Sequence, residues 1–286
     1  MTSFNFNRFL NVARWDLAIN RSFYNKVALM VASVITLPVL MKYINILCLR
    51  TTSMDQLVPD GDIVMGQASY MVFFIPIIMT VLVSYTFHNL LTRQGRINEL
   101  TLPASNLERF LWHTLFTILG GMLLILCSVV LADLIHVLLG WSVAGQHHFE
   151  SLTGTVLSTI TFPFREIVRT PGYVSVCVCI TLLLGVVIHL SIFVLGNAVV
   201  YKFNLAITIL WLIAISLCMS VLMGFVVSFC IGHEVHVESL VNLLEHITKN
   251  GAATFALLGS LAVTSVLWWL IYRFYRRAQI TSRRNS

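Results

Sequence analysis

Long apolar blocks alternate with short polar segments along this chain, and the blocks set its architecture. They recur at approximately Val27–Leu47, Tyr70–Leu91, Phe110–Leu139, Tyr173–Asn197, Leu205–Cys230 and Ala252–Tyr272. Each is about 20 residues or longer, the length a helix needs to cross roughly 30 Å of hydrocarbon. Transmembrane β-strands would instead be short and alternate apolar with polar residues. The pattern predicts an all-α polytopic membrane protein with six transmembrane helices. The third block is long enough to tilt or to project beyond the bilayer. Pro38 and Pro76 fall inside the first two and predict kinks, the lost backbone partners being supplied by neighbouring helices. On the last block Ala252, Ala256, Ser260 and Thr264 repeat every fourth residue, a small-residue face suited to close helix packing.

The polar segments carry their own periodicity. In residues 1–26, Phe6, Phe9, Leu10, Ala13 and Leu17 share one helical face, with Arg8, Arg14 and Arg21 mostly off it. An apolar stripe beside basic residues predicts an amphipathic helix lying in the membrane interface, in contact with lipid. The alternative is a disordered basic tail. The segment is too polar for a cleavable signal peptide, and the block after it is long enough to remain as an anchor. Before the last block, "HVESLVNLLEHITKNG" places Leu240, Leu243, Leu244 and Ile247 on one face, which predicts an outer-side amphipathic helix ended by Asn250-Gly251. The chain thus reads as an interfacial helix (1–26), a six-helix transmembrane domain (27–272) and a basic tail (273–286).

Composition agrees: 58% of residues are hydrophobic, 10% are charged, and mean hydropathy is +0.87. A soluble domain carries about 25% charged residues. The distribution of charge sets orientation, because cytoplasmic flanks of membrane helices are enriched in Lys and Arg. With both termini inside, the N-terminus, second and fourth loops and C-terminus hold 13 of the 18 basic residues. The other side keeps Lys42, Arg50, Arg165, Arg169 and Lys249, together with most of the acidic residues. The formal net charge of +6 does not point to nucleic acid, since the basic residues hug membrane ends and no RNP-like or zinc-finger pattern accompanies them. All six cysteines lie within or at the ends of apolar blocks and read as small buried apolar groups.

Little in the chain resembles catalytic or cofactor chemistry. There is no Walker loop, no G-x-S-x-G elbow and no repeated acidic motif, so no catalytic residue and no cofactor are expected. His233, Glu234 and His236 resemble part of a metalloprotease H-E-x-x-H. The two histidines are three apart rather than four, so a helix would not present both to one zinc, and no metal site is expected. Among intramembrane charges, Asp133 falls about 36 Å along the helix from Arg109 and Lys42 about 24 Å from the start of its block. Both read as interfacial or, less simply, as lining a pathway.

One polar segment has a defined local design. In "NELTLPASNLERF", Gly95 upstream can take the left-handed conformation that stops a helix. Pro103 disfavours helical geometry at Leu102. Ser105-Asn106-Leu107-Glu108 fits the S-x-x-E capping box that starts the next helix. The reading is a cytoplasmic corner presenting Arg93, Arg96, Glu99, Glu108 and Arg109 to water. Read alone, it is equally a well-made turn.

The run Leu102, Pro103, Ala104, Ser105, then Glu108, Arg109 and Phe110, resembles a segment of bacterial ABC-2-type permeases, the membrane subunits of ATP-binding-cassette exporters. "FVLGNAVVYKFN" resembles the corner between the fourth and fifth spans of that family, and the overall plan covers nearly the whole chain. The resemblance implies a homodimer or heterodimer with a related permease, bound to two copies of a separate ATPase. It also implies that Arg96, Glu99, Leu102, Pro103, Ser105, Glu108 and Arg109 form the ATPase-coupling loop, and that the outer segment resembles the family's re-entrant helices. The setting implied is the bacterial cytoplasmic (inner) membrane. Two other classes stand beside this one: a non-transporting membrane scaffold using the same corner for docking, and an intramembrane enzyme, which no constellation supports.

Overall fold

The computed structural model describes residues 4–50, 60–91, 93–144, 150–169, 172–199, 206–210, 213 and 251–281. Among these every regular element is helical: α1 (Phe6–Ile19), α2 (Arg21–Arg50), α3 (Asp60–Val83), a 3₁₀ turn at His88–Leu91, α4 (Arg93–Thr101), α5 (Asn106–Leu115), α6 (Gly121–Leu139), α7 (Leu152–Arg169), α8 (Tyr173–Val199) and α9 (Ala252–Thr281). Five stretches are long and apolar enough to cross a membrane: Arg21–Asn45, Val64–Val83, Asn106–Ser142, Ser175–Val199 and Ala253–Arg277. The expected span at Leu205–Cys230 lies largely outside the described residues, as does the amphipathic helix bearing Leu240, Leu243, Leu244 and Ile247.

Three boundaries differ from the sequence reading. The second span runs over Asp60–Val83 rather than Tyr70–Leu91, so the connection to the third is longer than the apolar pattern implies and contains the 3₁₀ turn and α4. Apolar composition continues past Val83 because Phe87 and Leu90 are core residues of that connection. Gly95 sits inside α4 and does not stop a helix; among the described glycines only Gly172 has positive φ. The third span joins α5 and α6 through a π turn at Phe116–Gly120 and ends in a second at Gly140–Ala144. At 37 residues it is roughly 55 Å long, well beyond the hydrocarbon thickness.

The chain divides into two compact units, Met1–Val83 with Thr101–Arg165, and Ser84–Leu100 with Glu166–Ser286. In the first, α2 packs along α6. Val31, Ile35, Val39 and Tyr43 form the buried stripe of α2, and Ile125, Val129, Ala132 and His136 that of α6, each at helical spacing. A polar pin closes this seam: the Tyr43 hydroxyl lies 2.9 Å from His136 Nδ1 and 3.1 Å from its carbonyl oxygen. Gly121 lets α3 approach, since a Cβ there would meet Leu82 Cδ1 at 3.3 Å and Met79 Sδ at 3.4 Å. Both Pro38 and Pro76 lie within unbroken helices.

In the second unit α8 packs along α9. The small-residue face expected on α9 is offset: Ser260 and Thr264 are half-buried and bond back to Leu257 and Ser260 carbonyls, but Ala256 is exposed. The cysteines also differ from expectation. Cys177 is buried, whereas Cys48 and Cys127 are on the outer surface of their helices. In an apolar membrane-spanning helix, that surface meets lipid, which suits an apolar thiol as well as a core does.

Candidate functional site

The corner before the third span is built around Glu108. Ser105 is extended (φ −69°, ψ 155°) and caps α5: its hydroxyl accepts the Glu108 N–H at 3.3 Å, and Glu108 Oε2 accepts the Ser105 N–H at 2.8 Å. The capping box read from the sequence is therefore formed. The carboxylate does more than cap. Its Oε1 accepts the Asn5 backbone N–H at 2.8 Å and is paired with Arg8 Nη2 at 3.1 Å. One side chain thus joins the start of α5 to the start of α1, where Asn5 is itself the N-cap, accepting from the Asn7 and Arg8 N–H groups.

For Glu99, Glu108 and Arg109 this overturns the expectation that the corner's charges face water. Glu108 is fully buried, Glu99 is 1% exposed and Arg109 only 6%. A buried carboxylate without partners would cost several kcal/mol, so its donors are a structural necessity. Arg109 folds back on its own turn, donating from Nη2 to the Ala104 carbonyl at 3.0 Å and to Asn106 Oδ1 at 3.1 Å. In the second unit Tyr275 donates its hydroxyl to Glu99 Oε1 at 2.7 Å, and its ring lies 4.9 Å from that of Phe87. Exposed at the turn are Pro103 and Leu107, with Leu102 half-buried. Arg96 lies on α4.

A second carboxylate, missed by the sequence reading, completes the attachment of α1. Asp16 is fully buried, and three side chains converge on it: Asn20 Nδ2 at 2.7 Å, the Tyr24 hydroxyl at 2.6 Å and Trp112 Nε1 at 2.9 Å. These come from the end of α1, the first turn of α2 and α5. Rings bridge the same elements, with Phe9 6.0 Å from Trp112, Trp112 stacked 4.9 Å from Phe116, and Phe116 5.0 Å from Tyr24. A signal was present: Asp16 is the only acidic residue among the first 54, on the apolar side of a basic amphipathic helix. Such a carboxylate needs partners, and Tyr and Trp supply donors on apolar bodies. Phe6, Leu10 and Leu17 of α1 are all exposed.

Asp133 has a specific structural role. At the far end of the third span, it accepts the Ser151 hydroxyl at 2.9 Å and the Leu152 and Thr153 N–H groups at 2.9 and 3.2 Å. Ser151 Oγ in turn accepts the Gly154 N–H at 3.0 Å. Asp133 therefore satisfies the orphan amides that begin α7, a helix the sequence reading left as loop. This gives the charge a fixed structural task at the start of α7. Lys42, half-buried on α2, stands beside Tyr43.

Among the described residues no three His, Cys, Asp or Glu side chains are placed to hold a metal ion, and His233, Glu234 and His236 lie outside them. Comparison with known protein families, curated proteins and solved structures finds no match. What fold and composition define is a class: an all-helical, multi-pass membrane protein whose N-terminal amphipathic helix is bolted to the start of its third span.

Proposed function

We propose that this chain is the transmembrane permease subunit of an ATP-driven exporter of the ABC-2 type, working with a separate ATPase. The carrying observation is the Glu108 tie. A capped corner between the second and third spans is joined through one buried carboxylate to a helix at the membrane surface. A push on such a corner is delivered to α1 and to the long third span together. Because Glu108 and Arg109 are internal struts that hold the turn in shape, the surface offered to an ATPase includes Pro103 and Leu107, which are exposed. The sidedness of Lys and Arg supports a cytoplasmic location for the corner and both termini, in a bacterial inner membrane. Pairing with a second permease, identical or related, follows from the same reading.

Affinity purification of the full chain in mild detergent should recover a polypeptide with ATPase motifs. Its consistent absence would remove the proposal and leave a membrane scaffold as the better description. Leu107→Asp should reduce ATPase recovery without changing the thermal unfolding midpoint. Substitution of Glu108 should do the opposite, lowering that midpoint first.

A further inference from the structure

Where α1 meets α2 the surface opens into a cavity of about 580 Å³. Arg21, Ser22, Asn25 and Lys26 line it from the first two turns of α2, spaced so that all project from one helical face. Ala18 and Ile19 close one side from the end of α1, and Leu29 forms the far end. Ile19 is 52% exposed and Leu29 71%, while Arg21 and Lys26 are both exposed. The cavity is thus graded along α2, cationic at Arg21 and apolar by Leu29.

The length and composition of α2 suggest where the cavity would lie in a membrane. The first candidate span begins at Arg21, so the lining residues of α2 cover the first nine positions of that span. At 1.5 Å per residue the distance from Arg21 to Leu29 is roughly 12 Å, the depth from a lipid headgroup into the upper acyl chain. The opposite face is immobilised: Asn20 and Tyr24 donate to Asp16, which locks the α1–α2 corner and holds the cavity open in advance of any ligand.

We propose that this cavity binds an anionic phospholipid, its phosphate between Arg21 and Lys26 and an acyl chain along Ile19 and Leu29. Ser22 and Asn25 supply hydrogen-bond donors to the ester and phosphate oxygens. An arginine and a lysine five residues apart, about 7.5 Å along the helix, suit a phosphodiester carrying net charge, and a zwitterionic lipid brings its own cation to compete for the same phosphate. The inference rests on α2 as a membrane-spanning helix and is independent of any transport role.

The test is native mass spectrometry of the full chain in mild detergent, titrated with phosphatidylglycerol, with phosphatidylcholine, or with inorganic phosphate alone. Phosphatidylglycerol should be retained in preference to phosphatidylcholine, and inorganic phosphate should not displace it. Each basic residue near an anionic membrane contributes roughly fivefold in affinity. Lys26→Gln should therefore lower retention about fivefold and Arg21→Gln with Lys26→Gln about 25-fold. The charge-preserving pair Arg21→Lys with Lys26→Arg should keep most of it. Arg276→Gln with Arg277→Gln removes the same charge at the end of another span and should cost far less than the Arg21 and Lys26 pair. Equal retention of the two lipids, an equal loss in the distant control, or displacement by inorganic phosphate would each overturn the proposal.

Discussion

The backbone N–H of Asn5 donates to the carboxylate of Glu108 at 2.8 Å, across 103 positions of sequence. The bond makes the N-terminal segment part of the corner before the third span. Since Glu108 Oε2 is engaged by Ser105, the two carboxylate oxygens serve two different helix starts.

Removing that carboxylate should therefore loosen two helices together. The Ser105 and Asn5 caps stay in place, but the backbone N–H groups of both lose their acceptor, and a buried donor left without its acceptor costs about 1–3 kcal/mol. Glu108→Ala should destabilise the protein by about 2–3 kcal/mol, read as a lower thermal unfolding midpoint in detergent. Arg8→Gln alone should cost less, because the Arg8 side chain is 34% exposed and solvent screens the pair. In the double variant the Arg8 substitution should add almost nothing, the non-additivity expected of a shared contact. Full additivity would show that the Arg8–Glu108 pair contributes nothing.

Asp16 offers an independent check on how α1 is held. Asp16→Ala takes the carboxylate away from the half-buried Asn20, Tyr24 and Trp112 donors, an effect of about 3 kcal/mol. Tyr24→Phe removes a single hydrogen bond and should cost about 1 kcal/mol. The sharper readout is trypsin cleavage after Arg14, which is exposed but lies within a helix that must open locally to be cut. Asp16→Ala should accelerate it strongly, Tyr24→Phe weakly. Unchanged cleavage in both would mean that the Glu108 tie and the aromatic contacts retain α1 without Asp16.

These two carboxylates show what the sequence makes legible and what it hides. The Ser105–Glu108 box is a relation between residues three apart, governed by local backbone geometry, and it forms as read. That Glu108 also receives Asn5 and Arg8 is a tertiary fact with no local trace. Charge suggested exposure for Glu99, Glu108 and Arg109, yet burial follows from partners, and a motif names only the nearest ones. Span positions show the same limit. Hydropathy located four of the described spans closely but displaced the second toward its C-terminal end, because Phe87 and Leu90 are apolar for packing rather than for lipid. The helix α7 was hidden by its composition. Thr155, Ser158, Thr159 and Thr161 make it look polar, although each hydroxyl bonds back to a backbone carbonyl three or four residues earlier.

The Asp133 cap predicts a local effect. Asp133→Ala should free the Leu152 and Thr153 amides, at a cost of about 1–2 kcal/mol to the start of α7. A 1.4 kcal/mol change is tenfold in an opening equilibrium, so hydrogen exchange at those amides should quicken by roughly tenfold or more. Exchange along the buried stripe of α2 should be unaffected. Asp133→Asn retains an acceptor oxygen and should fall between. If exchange rises throughout the first unit instead, Asp133 is a general packing residue rather than a cap.

Gly196 gives the most constrained prediction. A Cβ built on it would overlap Thr208 Oγ1 and lie 3.2 Å from Thr208 Cβ, so α8 and the segment at 206–210 approach too closely for any side chain there. Thr208 is 8% exposed and β-branched, which leaves its hydroxyl little freedom to turn aside. Overpacking of this kind costs about 1–3 kcal/mol. Gly196→Ala should therefore lower the thermal unfolding midpoint, even though alanine is the better helix former by about 1 kcal/mol. Thr208→Ala removes the overlapping oxygen and should restore most of the loss when combined with Gly196→Ala, while being mildly destabilising alone. A stabilising Gly196→Ala would mean that helix propensity outweighs the contact and that the two segments are free to separate.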